Sequence, residues 1–367
     1  VHPHFEYVAV DAGSEIYVMA DYLKPAVLEK IGAEVRSEVV LRFKGSELES
    51  LRYRHPFVDR VNPVILGEHV TLEQGTGLVH TAPGHGQEDY VVGLRYELPV
   101  YSPVDDSGCF TSEFPEFQGW HVFDANEAIV ELLREKGALL QNEEIVHQYP
   151  HCWRCSSPII FRATAQWFVM IDANDLRERA LKEIRNVNWI PAWGEDRIYG
   201  MVVNRPDWCI SRQRSWGVPI PIFYCKKCGK EFFDDRTFEH LKNLVAENGV
   251  DIWFTSEAEE LLPDGTQCDC GSGEFEKEED ILDVWFEAGV SHRAVLETTQ
   301  GLSFPADLYI EGSDQYRGWF QSSLLPSVAV KGQAPYRSVV THGFTVTGDG
   351  KKMSKKLGNA IYPQEVI

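Results

Sequence analysis

Residues 1–147 are patterned mainly for β-structure. Phe5 to Val10 (FEYVAV) and Glu15 to Met19 (EIYVM) read as strands, and Asp11-Ala-Gly-Ser14 between them is a hairpin signal. Tyr22 to Ile31 reads as a short helix that Gly32 ends. Residues 98–123 are rich in turn formers. Ala125 to Lys136 then places Ala128, Ile129, Leu132 and Leu133 at helical spacing and stops at Gly137. Ile159 to Met170 (IIFRATAQWFVM) reads as a strand pair returning the chain to a central domain, and Leu176 to Ile184 as an amphipathic helix. From Glu279 the pattern alternates strand and helix in the manner of a parallel α/β sheet. Ala306 to Ile310 is a strand, a helix follows to Val330, and Ser338 to Val346 (SVVTHGFTV) is a second strand. Gly348-Asp-Gly350 then supplies the backbone freedom of a tight turn.

The length of 367 residues fits two or three domains, and 43% hydrophobic content is enough to bury a core. No apolar run reaches membrane-spanning length, and VHPHFEYVAV lacks a basic head followed by an apolar stretch. A soluble, cytoplasmic protein is expected, with no membrane partner. Val1 is not an initiator methionine, so a fragment of a longer protein is expected.

The net charge of −21 argues at first against a nucleic-acid partner. Its distribution changes that. Between Glu231 and Asp283 there are 17 acidic and three basic residues, so this stretch alone carries −14. The remainder is mildly acidic and holds basic clusters at Arg205, Arg212, Arg214 and the C-terminal lysines, so RNA binding is permitted. Six of the eight cysteines fall in close pairs, Cys152 with Cys155, Cys225 with Cys228, and Cys268 with Cys270. Without a secretory signal, such pairs favour metal ligation over disulfides.

Five stretches carry candidate chemistry. Gly75 to Asp89 (GTGLVHTAPGHGQED) sets His80, His85, Glu88 and Asp89 among glycines. It reads as a solvated turn, as a metal site of His80, His85 and Asp89, or as a water-activating pocket whose carboxylate fixes a substrate ammonium. Trp208 to Pro221 (WCISRQRSWGVPIP) sets arginines between tryptophans, which serves either packing or stacking and phosphate contact. Residues 225–278 read as an acidic insert. Cys225, Cys228, Cys268 and Cys270 would close a tetrahedral structural zinc site, although the last pair has one spacer residue where two are usual. Glu311, Asp314 and Gln315 follow a parallel strand directly, where such sheets line their ligand crevice. A helix N-cap would account for Ser313 and Asp314. No comparable structural duty accounts for Glu311. Last, Lys351, Lys352, Lys355 and Lys356 crowd one loop, an arrangement suited to a polyphosphate.

Several of these strings together resemble one family. Lys352-Met-Ser-Lys355 is similar to the KMSKS loop of class I aminoacyl-tRNA synthetases, with Lys356 in place of the final serine. GTGLVHTAPGHGQED and WCISRQR resemble the isoleucyl, valyl and leucyl subgroup. Glu311-Gly-Ser-Asp-Gln-x-Arg-Gly-Trp-Phe320 lies closer to its isoleucyl than to its valyl or leucyl members. The resemblance implies an α/β, Rossmann-like catalytic half at 201–224 and 279–367, carrying a zinc-ribbon insert at 225–278. It implies a mostly-β editing domain at 1–147, joined to the catalytic half by a knuckle and connection at 148–200. Lys352 and Lys355 would be catalytic, binding the ATP phosphates together with Ser354. Glu311, Asp314, Gln315, Trp285 and Trp319 would bind the adenylate and the amino acid. His80 and Asp89 would serve editing. Cys152 and Cys155 would be half of a second zinc site whose partners, like the Thr-rich editing strand and the HIGH motif, precede Val1. The implied partners are isoleucine, ATP with Mg2+, tRNA(Ile) and structural Zn2+, with the protein a monomer. One departure falls in Asp283-Val-Trp-Phe-Glu-Ala-Gly289, where the family usually has Asp-Ser in place of Glu287-Ala288. Valyl activity, a zinc-ribbon RNA-binding protein without ligase activity, and a metallohydrolase centred on His80, His85 and Asp89 are the alternatives.

Overall fold

A computed structural model describes residues 1–13, 15–32, 38–353 and 358–365. The chain forms two compact units, Val1–Ala165 and Gln166–Ile367.

In the first unit, β1 (Glu6–Asp11) is the centre of an antiparallel sheet, flanked by β2 (Ile16–Ala20) and, beyond the helix α1 (Lys24–Ile31), by β3 (Glu38–Lys44). Tyr7, Val8 and Val10 are fully buried, so β1 is apolar on both faces rather than alternating. The helix begins two residues later than Tyr22 because Asp21–Leu23 forms a 3-10 turn and Pro25 suits the first helical turn. A short hairpin of β4 (Arg52–Arg54) and β5 (Val61–Pro63) follows. The Tyr7 hydroxyl donates to the Gly77 carbonyl at 2.7 Å, and the Ala20 amide donates to the Thr76 carbonyl at 2.8 Å. These bonds pin the glycine-rich segment to the sheet. Gly77 has φ +78°, and a Cβ there would stand 2.6 Å from Ala20 Cβ, so only glycine fits. The segment leads into α2 (Gln87–Arg95). A second cluster joins Phe114, Phe117 and Ala125 to the apolar face of α3 (Asn126–Glu135).

The second unit is α/β. After β6 (Phe168–Val169) come α4 (Leu176–Ile184), β7 (Asn188–Ile190) and α5 (Gly194–Val203). Strands β8 (Trp208–Cys209) and β9 (Ser211–Arg212) lead to an insert of β10 (Phe223–Cys225), β11 (Glu231–Phe232), α6 (Asp235–Asn248), α7 (Ile252–Thr255), α8 (Ala258–Leu261) and β12 (Phe275–Lys277). Strand β13 (Ile281–Leu282) pairs back on β9, and α9 (Val284–Gly289), β14 (Ala306–Gly312), α10 (Trp319–Lys331) and β15 (Tyr336–His342) complete the unit. The main sheet, β14-β15-β7, is parallel throughout. Helix α10 covers it with Phe320, Leu324, Leu325 and Val328 against Tyr316, Tyr336 and Val339, all buried. Gly332, left-handed at φ 78°, ends α10.

Three elements differ from expectation. Residues 159–167 form no strand pair, and only Phe168–Val169 ladders, against Trp208–Cys209. The Ile159 and Ala163 amides donate instead to the Pro150 and Gly84 carbonyls of neighbouring loops. Strand β15 begins at Tyr336 and stops at His342, because Gly343 releases the chain into the following hairpin. Strand β7, unforeseen, is three residues held between two helices. Among the described residues no helix is long and apolar enough to cross a membrane.

The neck of the insert closes on one carboxylate. Burial pushes the Glu278 carboxyl up, but donations from Tyr224, the Asp280 amide, Trp167 and the Glu279 amide outweigh it and hold it below its ordinary 4.5. Tyr224 is pushed up to about 12 by burial and by this partner. A depressed carboxyl stabilises the fold fully above its unfolded value, and that stabilisation is lost as pH falls through the lower folded value. Melting temperature should therefore fall more steeply between about pH 5 and pH 3 in the wild type than in Glu278→Gln; equal slopes would contradict the assignment. Leu324→Ala, at a fully buried position, should cost about 2–5 kcal/mol in denaturant unfolding.

Candidate functional site

Strands β14 and β15 end side by side, with Glu311 opposite Thr341 and Gly312 opposite His342. The carboxyl ends of parallel strands open onto the ligand crevice of such sheets. Glu311 is exposed there, and its carboxylate makes no hydrogen bond or ion pair among the described residues. It therefore stands at a strand end with no described residue to hold it.

The chain next turns through Ser313–Arg317 into α10. No side chain caps this turn, so the capping explanation of Asp314 gains nothing. Gln315 Nε2 donates to Asp314 Oδ2 at 3.2 Å, while its Oε1 accepts from the Trp319 amide at 2.9 Å. The Trp319 ring stacks on Tyr309 with centroids 4.0 Å apart and planes 8° from parallel, and its Nε1 donates to the Ala288 carbonyl at 3.0 Å. Trp285, at the start of α9, stands over Gly318, where a Cβ would lie 3.1 Å from its Cη2. Gly289 lets α9 approach closely, since a Cβ there would collide with the Ser322 carbonyl of α10. Trp285, Gln315 and Trp319 thus converge, with Asp314 joined to them through Gln315.

Asp283 fixes the base of this arrangement. It is 4% exposed. Its Oδ1 caps α9 by accepting from the Trp285 amide at 3.1 Å. Its Oδ2 accepts from Trp208 Nε1 at 3.1 Å and from Arg212 at 2.7 Å. The WCISRQR string therefore serves here to hold a pocket element. Glu287 has a structural use too, since its Oε1 accepts from the Val218 amide at 3.2 Å. Sequence reasoning missed His342, which lay inside the expected strand Ser338 to Val346 and is the last residue of β15. It also missed Arg205 as part of this region. The Arg205 guanidinium lies over the Trp208 ring at 5.2 Å and donates to Gln321 Oε1 beside a small cavity of about 220 Å³.

The lysine loop begins as a hairpin, with Val346 bridged to Lys352 and Gly350 at φ 78°. Lys351 pairs with Asp349 at 2.9 Å. The Lys352 ammonium is 5.9 Å from the Phe344 ring centroid and has no carboxylate partner among the described residues. Ser354, Lys355 and Lys356 lie outside the described residues.

The four insert cysteines converge, with all four Sγ atoms within 4.8 Å of one another. Cys225 and Cys270 are 3.6 Å apart, as are Cys228 and Cys268. A zinc tetrahedron with bonds of about 2.3 Å has edges of about 3.8 Å, so the donor set fits that metal. Gly229 and Gly271, both at positive φ, turn the chain after each pair, which accommodates the single spacer of the second. The Lys230 amide favours the Cys228 thiolate, yet burial and the three neighbouring thiols push that thiol up to about 12. Burial alone would raise Cys225 as well. The Cys228 and Lys227 amides and the adjacent thiols bring it down to about 6. Thiols this crowded do not ionise together without a cation.

In the first unit, His80 lines a largely apolar cavity of about 650 Å³ with Tyr53, Phe57, Leu78, Tyr101 and Phe110. Asp89, on α2, accepts from the Ala82 amide at 3.1 Å and does not line that cavity. His85 Nδ1 meets the Phe161 carbonyl at 3.0 Å. His80, His85 and Asp89 do not gather as metal ligands. Among the described residues the four insert cysteines alone do so, and Cys152 and Cys155 find no third ligand. The Ser157 amide and hydroxyl and the Cys152 thiol bring Cys155 down to about 7.

Residues 15–367 match the family model for tRNA synthetases of class I (I, L, M and V). Over its whole length the chain is 58% identical to an isoleucine--tRNA ligase of Moorella thermoacetica and 57% identical to one of Persephonella marina. It is 55% identical to one of Geobacter sulfurreducens. It spans 39%, 40% and 40% of these three proteins.

The cysteine geometry predicts one tightly held zinc per chain by elemental analysis. Cys225→Ser should abolish stoichiometric binding, and a wild-type chain prepared with zinc but carrying none would contradict the site.

Proposed function

The chain belongs to the class I tRNA synthetases, and from that premise we propose that the protein is an isoleucine–tRNA ligase. The observation that carries this reading is the convergence at the end of β14. Glu311, whose carboxylate has no partner among the described residues, stands there, and the turn that follows it brings Asp314 and Gln315 to Trp319 and Trp285. A lone carboxylate at a strand end suits a substrate ammonium or a ribose hydroxyl. Two indoles on facing helices suit an aliphatic side chain.

In the proposed first step the isoleucine carboxylate attacks the α-phosphorus of ATP and pyrophosphate leaves. In the second, the terminal ribose hydroxyl of tRNA(Ile) attacks the adenylate's carbonyl and AMP leaves. Neither step needs a protein nucleophile, so the site acts by positioning and charge stabilisation. Glu311 orients the amino acid or adenylate, and Trp285, Trp319 and Gln315 bound the side chain. Lys352, Lys355 and Ser354 hold the phosphates of ATP, whose Mg2+ travels with the nucleotide. Cys225, Cys228, Cys268 and Cys270 hold a structural zinc, which leaves no open ligand position for chemistry.

Hydrolytic editing of mischarged valine is the finer part of the proposal. Isoleucine exceeds valine by one methylene, and this pair is the standard illustration of what an apolar pocket fails to reject. His80, on a cavity of about 650 Å³, is assigned beside the scissile ester and Asp89 to the ammonium group. The isoleucine--tRNA ligase relatives favour isoleucyl over valyl activity.

ATP–pyrophosphate exchange with the whole protein tests this reading. Isoleucine should drive it more than tenfold better than leucine, and Glu311→Ala should lower kcat/KM by roughly 100-fold, or about 2.7 kcal/mol. Exchange driven best by valine would move the assignment to the sister enzyme, and none with any aliphatic amino acid would overturn it.

A further inference from the structure

Glu278 is a hub that neither the metal site nor the pocket accounts for. Its Oε2 accepts from Tyr224 at 2.6 Å and from Trp167 Nε1 at 2.7 Å. Its Oε1 accepts from the Glu279 and Asp280 amides at 2.8 and 2.9 Å. Four donors on one carboxylate is a demanding arrangement. It sits, moreover, inside the stretch that carries −14 of the chain's charge, where another anion is electrostatically unfavourable. Nothing about folding a ribbon requires a carboxylate at its neck.

Its position lies between two sites. On one side, Tyr224 is the residue before Cys225 on β10, and Trp253 Nε1, packed on Phe223, donates to the Glu278 carbonyl at 3.2 Å. On the other side, the chain runs without interruption into the pocket. Asp280 accepts from Gln213 at 2.6 Å, and Ile281 and Leu282 pair with Arg212 and Ser211. The Asp283 amide donates to the Ile210 carbonyl at 2.7 Å, and Asp283 then caps α9 at Trp285. The path from the cysteine cluster to the Trp285 amide thus runs through hydrogen bonds, a strand pair and short stretches of chain within one compact unit.

We propose that Glu278 is a positioning residue through which the metal-bound ribbon sets the Asp283–Trp285 element, and with it the amino-acid pocket. The coupling rests on the reading of that pocket given above. When the four thiolates are held together, β10 presents Tyr224 at a fixed place. The Tyr224 hydroxyl and Trp167 then fix the carboxylate, whose other oxygen ties down the Glu279 and Asp280 amides at the start of β13. Loss of the metal frees β10 and loosens that anchor. Three of the four partners are N–H groups that can only donate, so an amide at this position aims its NH2 at one or two of them in either orientation. Glu278→Gln is therefore a sharp disruption at nearly constant volume.

Two measurements on the wild type, Glu278→Gln and Tyr224→Phe test the proposal. The first is amide hydrogen exchange over 281–289 with and without a zinc chelator. The second is the KM and kcat of amino-acid-dependent pyrophosphate exchange. Chelation of the wild type should speed hydrogen exchange over 281–289 and raise the amino-acid KM about three- to tenfold, with kcat changing less than about twofold. Glu278→Gln should reproduce both effects while still binding one zinc, and chelation should add nothing further in it. Tyr224→Phe, which keeps the carboxylate and the cysteines, should move both readouts in the same direction by less, and it decides the matter if Glu278→Gln does not fold. A zinc-bound variant with wild-type hydrogen exchange and KM would overturn the proposal, as would chelation acting equally on variant and wild type. Absence of pyrophosphate exchange in the wild type would sink the ligase reading instead, and the hydrogen-exchange comparison would still decide the coupling.

Discussion

The candidate pocket depends on the Asp283 carboxylate, 4% exposed, being shared between a helix and a loop. Leaving such a group without partners would cost several kcal/mol, so its neighbours are over-determined. Trp208 and Arg212 hold one oxygen, and the Trp285 amide holds the other. The bond to the Trp285 amide caps the start of α9 and fixes the backbone that carries the indole. The other two bonds fasten that helix to Trp208 on β8 and Arg212 on β9, reinforcing the two-residue ladder of Ile281 and Leu282 on Arg212 and Ser211.

From that anchor the rest follows by close approach. Gly289 brings α9 against the Ser322 carbonyl, and Gly318 leaves room for the Trp285 ring at the first turn of α10. Helix α10 is buried nearly all round, its Gln321, Ser322, Ser323 and Ser327 included, with the parallel sheet on one side and α4 and α9 nearby. The exposed polar residues of the site stand at the open end, where Glu311 and His342 leave the two strands. The geometry separates a rigid, dry support from a short polar rim, which suits catalysis by positioning.

Legibility in the sequence tracked how local each cause was. The helix Leu176–Ile184 has the bounds its periodicity predicts, and the strand from Ala306 differs only by extending to Gly312. Cysteine spacing predicted a cluster of four, and the four converge even with a single spacer in the second pair. Strand β7 was invisible because three residues carry no period. Residues 159–167 were apolar enough for strands, but the Ile159 and Ala163 amides are taken by loops that only the folded chain brings near. The packing of Trp285 over Gly318 and of α9 against α10 depends on close approaches at Gly318 and Gly289 to distant residues, and no spacing rule expresses that. The glycine-rich segment around His80 showed its polar cluster in sequence. Its attachment through Tyr7 and Gly77 did not show, since those residues are 70 apart.

The central claim is that the end of β14, with Trp285 and Trp319, receives an isoleucyl-adenylate. Its most direct test is binding of a non-hydrolysable isoleucyl-adenylate analogue to the whole protein, mapped by protection of backbone amides. The account predicts saturable one-site binding, with protection centred on 311–319 and on the turn of α9 that carries Trp285. Saturable binding that protects neither stretch, or an analogue that does not bind, would contradict it.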